Sequence, residues 1–589
     1  MKPKMKIFDS MNNMNKTIFS SIVTGALLLI ASSCNLDEIS YSQVTPDTFY
    51  TSPENTYAVL ARPFTHWKYY VDPGRESYRV LELCADEMCC PKRGSDFYNG
   101  GNEQKLWYHT WTPEHPYVQK LYELTLQGVA YALAARDDLS ALDYSKMGMT
   151  EQDKKFQLGQ LDGIIGYFYL MGLDSFGGLP IYNSSTETPK GRSTESELFF
   201  HVEELLLKAI DELPAKASLN EAQDGYMRKA TAAILLARLY FNAEAYLVDR
   251  NNPDKAADLG GVDYFAKAQK ICEDLIAGEY GPYGIENDWC TVHGFDNNAS
   301  KEAVWSVPNQ TNYLESDMWY RYFMPYNVHD YFNIEKHTAY NGYMLTPSLD
   351  PQGNRYGYKL GGTYAKFNDS DQRKQPYHYK GNKKYDGMFL VGKLVNPETG
   401  KGCVGNREYT GQVITLVDQV ARFSEVGKNY SSVADLPSDM NQGEESSGVR
   451  LVKWPVPNQS DVDIRWDPDY AYIRFTEVYY MLAECYMRDG RKKEAADLIN
   501  TVRARNFVNR MDPDPVTEAN LDMYRLLDEW QIEFLGEARR RTDLIRWGLF
   551  TDGEWWDHKP SVKKYLNRFP IPTTALVASE GLVLQNPGY

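Results

Sequence analysis

The feature that most constrains this chain is helical periodicity that recurs in pairs. Apolar residues return at three- and four-residue spacing over 118–139, 153–175, 195–213, 229–247, 262–277, 472–489, 491–507 and 522–549. A helix with one apolar stripe must bury it against a neighbour, and short connections make that neighbour the next helix in the chain. The expected fold is therefore mostly α, with helical hairpins at about 118–277 and 472–549. Between them, over about 280–470, Gly, Asn, Tyr, Pro and Asp dominate and apolar runs such as Ala303-Val304-Trp305-Ser306-Val307 are short. That stretch is expected to form a large, irregular, loop-rich insertion with short helices and a small hairpin.

Residues 472–507 fit a tetratricopeptide-like unit. Tyr479, Leu482, Ala483 and Tyr486 fall at the contact positions of a first helix, and Ala495, Ile499 and Val502 at those of a second, with Gly490 at the turn. Small residues at 483 and 495 let two backbones approach. A second copy starts at Ala233, Leu236, Ala237 and Tyr240, with Ala268, Cys272 and Leu275 in its displaced partner helix. Weaker pairs cover 118–175 and 195–247.

The N-terminus reads as an export signal. Lys2, Lys4, Lys6 and Lys16 precede the apolar run 17–30, and Ala31-Ser32-Ser33 leads into Cys34. The run is short for a bilayer span. A small triplet before a cysteine resembles a bacterial lipobox, which implies acylation of Cys34 and a mature chain of residues 34–589 behind a signal of residues 1–33. Several acyl chains, at about 0.8 kcal/mol per buried CH₂, make a lasting anchor.

Charge narrows the partners. The net charge is −17, and losing residues 1–33 would make it −20, a surface that repels nucleic acid and anionic lipid. The seven other cysteines show no C-x-x-C spacing, and the nine His never fall as H-E-x-x-H, so no metal site and no cofactor are expected. Asp461-Val462-Asp463 and Asp467-Pro468-Asp469 lack the later Glu and central Gly of an EF-hand. Glu533 and Glu537 lie four apart on one expected helix, but glycoside hydrolysis needs carboxyls that face each other across a sugar. With Arg539, Arg540, Arg541 and Arg546 nearby, and Glu537 four residues before Arg541, ion pairs between helices are the expected role. Arg474, Glu477 and Glu484 are expected to do the same. No catalytic residue is expected.

Four blocks, in order, resemble the SusD/RagB family of outer-membrane nutrient-binding lipoproteins of Bacteroidetes. They are Gly163-Ile164-Ile165-Gly166-Tyr167-Phe168-Tyr169-Leu170 running to Phe176-Gly177-Gly178-Leu179-Pro180; Tyr472 to Glu484 with Leu498 to Arg505; Glu533 to Arg540 with Asp543-Leu544-Ile545-Arg546-Trp547-Gly548; and Phe569-Pro570-Ile571-Pro572 with Gln585-Asn586-Pro587-Gly588-Tyr589. The resemblance spans nearly all of 34–589, as a single SusD-like domain. It implies a surface-exposed, non-catalytic lipoprotein anchored in the outer membrane. Such a protein captures oligosaccharides for a SusC-like TonB-dependent transporter; RagB-like members, which serve peptide uptake, are the alternative.

Aromatic residues in irregular segments are the candidate ligand contacts, because a sugar's flat C–H face stacks on a ring while polar groups at the edge meet its hydroxyls. Covering roughly 60 Å² of such a face at about 25 cal/mol/Å² yields about 1.5 kcal/mol, so several platforms are needed. The loop 91–101 offers Arg93, Asp96, Phe97, Tyr98 and Asn99, where SusD-like proteins often carry a Trp. The insertion offers Tyr313, Trp319, Tyr320 and Tyr322. Trp107, Trp111, Trp305, Trp547, Trp555 and Trp556 lie in more regular blocks and are expected in the core.

Overall fold

The computed structural model describes residues 46–309, 318–456 and 468–589. The expected signal segment, Cys34 with its expected acylation, Tyr313 and the Asp461–Asp463 stretch all lie outside the described residues. The architecture is mostly α, as the paired periodicity predicts.

Two longer helices precede the first predicted pair, α1 (Pro53–Val71) and α2 (Glu76–Leu83), along with short helical turns at Pro46–Phe49 and Asn102–Trp107. Pro53 opens α1, where a missing N–H costs no hydrogen bond. Then follow α3 (Pro116–Ser140), α4 (Glu151–Phe176), α5 (Glu195–Glu212), α6 (Lys229–Phe241) and α7 (Tyr264–Ala277). Capping boxes start two of them. Thr150 and Asp153 satisfy each other's backbone N–H at α4, and Thr194 and Glu197 do so at α5. Beyond the insertion come α8 (Thr476–Arg488), α9 (Lys492–Arg503), α10 (Met523–Phe534) and α11 (Arg540–Arg546).

From α3 to α9 each of these helices packs on the next, and α7 packs on α8 across the whole insertion. The chain therefore leaves the stack and rejoins it at the same place. Ala483 and Ala495 are fully buried where α8 meets α9, as the small residues there require. A two-stranded antiparallel ladder draws the insertion's ends together: β1 (Ala303–Val307) pairs with β2 (Tyr470–Arg474), with Tyr470 opposite Val307 and Arg474 opposite Ala303. The 303–307 run is thus a long-range strand and not half of a local hairpin; a local hairpin does occur at His378–Gly381 and Lys384–Asp386. Trp305 of β1 stacks on Trp67 of α1 at 3.7 Å, with Tyr167 and Tyr472 edge-on at 5.4 and 5.8 Å. Of the tryptophans expected in the core, Trp107, Trp111, Trp305, Trp555 and Trp556 are buried and Trp547 is half-buried under Arg488.

One expectation fails at 522–549. The helix breaks after Phe534, where Gly536 (φ +76°) and Ala538 (φ +55°) turn the backbone before α11 starts. Glu533 and Glu537 therefore do not share a helix face, and the expected Glu537–Arg541 pair is replaced. Glu537 meets Arg474 at 2.8 Å and Lys453 at 2.5 Å, while Arg541 meets Asp174 at 2.7 Å. The knitting role itself stands. Buried Arg474 also reaches Glu302 (3.0 Å) and Glu533 (2.9 Å), Glu477 takes Arg238 (2.6 Å) and Arg539 (3.0 Å), and Glu484 takes Arg546 (2.7 Å). Burial alone would raise the Glu533 carboxyl, but Arg505, Arg474 and Arg373 together hold it at about 2.

Candidate functional site

Residues 91–101 run from the short strand Met88–Cys89 toward a short helix, Asn102–Trp107, and their backbone is unusual. Arg93 and Asp96 exchange backbone hydrogen bonds of 3.0 and 2.9 Å, closing a tight turn. Phe97 follows at φ +52° and Asn99 at +41°, a conformation that L-residues with bulky side chains rarely adopt. Such strain persists only where the surroundings enforce it. Here Gln104 Nε2 donates to the Phe97 carbonyl (3.2 Å), Asn99 Nδ2 donates to Glu103 (3.0 Å), and the Phe97 ring sits over Gly342. A Cβ at 342 would lie 2.6 Å from that ring, so only glycine admits it.

The left-handed turn sends neighbouring rings in opposite directions. Phe97 is half-buried against the insertion, whereas Tyr98 is 52% exposed, with the Lys92 ammonium 5.0 Å from its ring centre. Beside them the Asp96 carboxylate accepts from Arg407 (2.5 Å) and from the Tyr326 hydroxyl. Burial, then Asp96, pushes the Tyr326 phenol well above its ordinary range, so it stays a donor. Gly342 N–H and Tyr343 N–H both donate to the Tyr322 carbonyl (3.1 and 2.8 Å), which ties the 91–101 loop to the helix Met318–Phe323. The two segments singled out in the sequence thus meet at Gly342.

Their side chains fare differently. Asp96, Tyr98 and Asn99 reach the surface, and Phe97 and Tyr322 are half-buried behind them. Tyr322 stacks on Tyr343 at 5.3 Å and lies under Arg79 at 4.6 Å, so the protein itself engages its ring. Arg93 corrects the sequence expectation: it is 1% exposed and donates to the carbonyls of Glu444 (2.5 Å), Ser447 (3.1 Å) and Gly342 (3.4 Å), clamping loops and facing no solvent. Tyr320 is a second correction, buried at 1% exposure against Phe332 and His337. Trp319 is half-buried and stacks on Trp454 at 3.4 Å, with Tyr470 at 5.1 Å. The cavity beside that pair is about 20 Å³, room for about one water.

What sequence reasoning missed is Arg407 and Tyr326, which complete the polar edge around Asp96. Neither carries periodicity or motif, and their approach to residue 96 depends on irregular backbone between distant positions. The arrangement suits reversible binding: an exposed ring face, a carboxylate to accept hydroxyl protons, and guanidinium and phenol donors. Among the described residues, no group of three or more His, Cys, Asp or Glu is placed to hold a metal ion. No helix there is long and apolar enough to cross a membrane.

Comparison with known proteins adds four findings. The sequence model of the SusD family matches residues 301–589. The starch-binding protein SusD of Bacteroides thetaiotaomicron is 34% identical over 155 residues, 24% of this chain and 26% of that protein; the chain spans about a quarter of the length of the curated relatives it matches. Surface glycan-binding protein A from Bacteroides thetaiotaomicron superposes with a TM-score of 0.63 at 14% identity, covering 92% of this chain and 100% of that one. The same protein in complex with laminarihexaose gives 0.61 at 14% identity, covering 91% and 100%. At such identity the likeness is one of fold.

Proposed function

We propose, from the premise that this chain belongs to the SusD/RagB family, that it is a non-catalytic glycan-binding lipoprotein of the outer membrane. Residues 34–589 form one SusD-like unit, held at the cell surface through Cys34. The unit captures oligosaccharides and passes them to a SusC-like TonB-dependent transporter.

The observation that carries the proposal is the exposed Tyr98 ring beside the Asp96–Arg407–Tyr326 edge. Tyr98 supplies the stacking face, Asp96 accepts from sugar hydroxyls, Arg407 and Asn99 donate, and Phe97 and Tyr322 brace the loops from behind. Trp319 lies on the adjoining segment, paired with Trp454. Glycan-binding relatives with the same fold support the ligand class, one of them bound to laminarihexaose. One open platform implies weak binding. That suits a tethered capture protein, because the tether raises the local concentration and the ligand must be released inward.

Isothermal titration against a panel of plant and host glycans tests this, with Tyr98→Ala beside the wild-type protein. Saturable heat with at least one glycan, reduced about tenfold or more by Tyr98→Ala, is expected; no heat with any glycan sinks the proposal. A second function, peptide capture of the RagB type, is favoured by the absence of Trp from the 96–98 loop and by Arg407, which could take a peptide carboxylate. Peptides in mass spectra of the native protein would identify it.

A further inference from the structure

A cavity of about 490 Å³ lies between the loop after α6, the end of α11 and the C-terminal tail. No residue of 91–101, 318–323 or 404–410 lines it, so it is separate from the ring-bearing loops. Leu173 and Ile545 form part of an apolar wall, and Arg250, Lys564 and Arg568 bring cationic groups to it. Lys564 already pairs with Asp552 at 2.7 Å, with ammonium hydrogens to spare, but the two arginines are thinly compensated. Glu195 Oε1 is shared by Arg568 at 3.2 Å and Arg250 at 3.6 Å, so two guanidiniums divide one carboxylate. The other donors of Arg568 go to the carbonyls of Tyr246 (3.1 Å) and Val248 (2.6 Å). Burial, with Arg250 beside it, pushes Arg568 below its ordinary range in spite of Glu195. The acids nearest the wall are committed or peripheral: Asp174 holds Arg541 (2.7 Å), Asp249 accepts from the backbone of Asn251 (2.9 Å), and Glu244 sits exposed at the rim. On a chain of net charge −17, a positive cavity is a local inversion.

A second observation concerns acceptors. Asn586 is 3% exposed and donates its amide hydrogens to the carbonyls of Phe176 (3.1 Å) and Phe569 (2.9 Å), leaving its Oδ1 without a partner. Asn567 Oδ1 is likewise buried without a partner, and both residues line the cavity. A buried amide oxygen without a donor costs on the order of 1–3 kcal/mol, which a ligand's hydroxyl would relieve. The wall therefore asks for an anionic oxygen and for hydroxyl donors on one molecule. A small inorganic anion fills little of the cavity's roughly 490 Å³ and spans few of these groups at once, and neutral sugars lack the charge. The volume falls within the range of small-ligand sites and accommodates one or two pyranose rings.

We propose that this cavity is a second ligand site, for a sugar acid of one or two rings, with its carboxylate at Arg250 and Lys564 and its hydroxyls donating to Asn567 and Asn586. The site is independent of the loop platform around Tyr98, and the two can fail separately.

Isothermal titration of the whole chain with D-glucuronate, D-glucose and acetate tests it, alongside Arg250→Gln, Asn567→Ala and Tyr98→Ala. Saturation by D-glucuronate is expected, with D-glucose and acetate at least tenfold weaker. Arg250→Gln should weaken D-glucuronate by tenfold or more and Asn567→Ala by about threefold, while Tyr98→Ala leaves it unchanged. Should Arg250→Gln lower the melting temperature, Lys564→Gln at the more exposed rim takes its place, with the same loss expected. Absence of saturation, acetate or D-glucose binding as tightly as D-glucuronate, indifference to these cavity substitutions, or loss in Tyr98→Ala would each overturn the proposal.

Discussion

Buried arginines are handled in two ways in this molecule. In the helical scaffold they meet carboxylates: Arg474 contacts Glu302, Glu533 and Glu537, and Arg505 shares Glu533 at 2.7 Å. In the loops that carry the site, two of them meet the main chain instead, although Arg373 of the insertion still pairs with Asp371 (2.7 Å) and Glu533 (3.0 Å). Arg93 donates to three carbonyls, and Arg450 donates to the Tyr343 carbonyl (3.0 Å) and the Asn341 side chain (2.7 Å). The cause is backbone geometry. Helices satisfy most of their own carbonyls, so a guanidinium between them finds mainly side chains and a carbonyl only at a helix end, as Arg474 does at Glu533 (3.1 Å); irregular loops leave more carbonyls unpaired and thereby supply acceptors. Charge pairs position the helices, whereas guanidinium clamps position the loops that carry the site.

Arg474→Met should show the larger of the two costs. It strands three carboxylates that Arg505, Arg373 and Lys453 only partly neutralise, a loss of about 3–5 kcal/mol by urea unfolding. A loss below 1 kcal/mol would mean that the network orients helices without stabilising them.

Acid should act on the same network. Glu533 titrates at about 2 when folded and near 4.5 when not, so its contribution is complete above pH 4.5 and disappears as pH falls toward 2. The full effect is on the order of 3 kcal/mol. Asp418 in the insertion runs the other way. Burial, against hydrogen bonds from Ser348, raises its carboxyl to about 7, so its contribution is present below about pH 3.8 and is lost as pH rises toward 7. Thermal unfolding across pH should show a scaffold loss in acid that Glu533→Gln removes. A gain toward neutral pH from Asp418→Asn should accompany it, and interchange of the two behaviours would break the contrast.

The same contrast explains what was legible in the sequence. Helical spacing maps positions onto faces, so the hairpins, the tight approach at Ala483 and Ala495, and the structural use of Glu477, Glu484 and Glu533 could all be read from residue types. The break at Gly536 carried its signal too, but uninterrupted apolar spacing on either side masked it. In the insertion, the partners of Asp96 lie at 326 and 407, brought close by loops without period. Arg93 looked like a ligand contact because a guanidinium beside aromatic residues in a polar loop suits sugar recognition; nothing in its neighbours tells of the carbonyls of Glu444 and Ser447.

Arg93→Met should cost less than Arg474→Met, about 1–3 kcal/mol. It abandons three carbonyls but also removes a buried charge with no carboxylate among its hydrogen-bond partners. Burial already pushes that guanidinium below its ordinary range. The clamp holds the Asp96–Tyr98 turn against Gly342, so ligand affinity should fall with stability. Equal losses for the two Arg→Met variants would abolish the distinction between pairing and clamping.

The smallest stability effect is expected at the residue with the largest expected effect on binding. Phe97→Ala empties a half-buried position against Gly342 and should cost about 1–2 kcal/mol, below the range for a fully buried ring. Tyr98→Ala removes a mostly exposed ring and should change unfolding by no more than about 0.5 kcal/mol. For ligand the order reverses. Tyr98→Ala loses a stacking face worth about 1.5 kcal/mol, roughly tenfold in affinity. Phe97→Ala loses affinity only through the looser turn, because its ring points inward. Urea unfolding and glycan titration on both variants give a two-by-two outcome. If Tyr98→Ala destabilised the chain as much as Phe97→Ala and left affinity intact, the outward ring would be structural, and the site would have to lie elsewhere on the insertion.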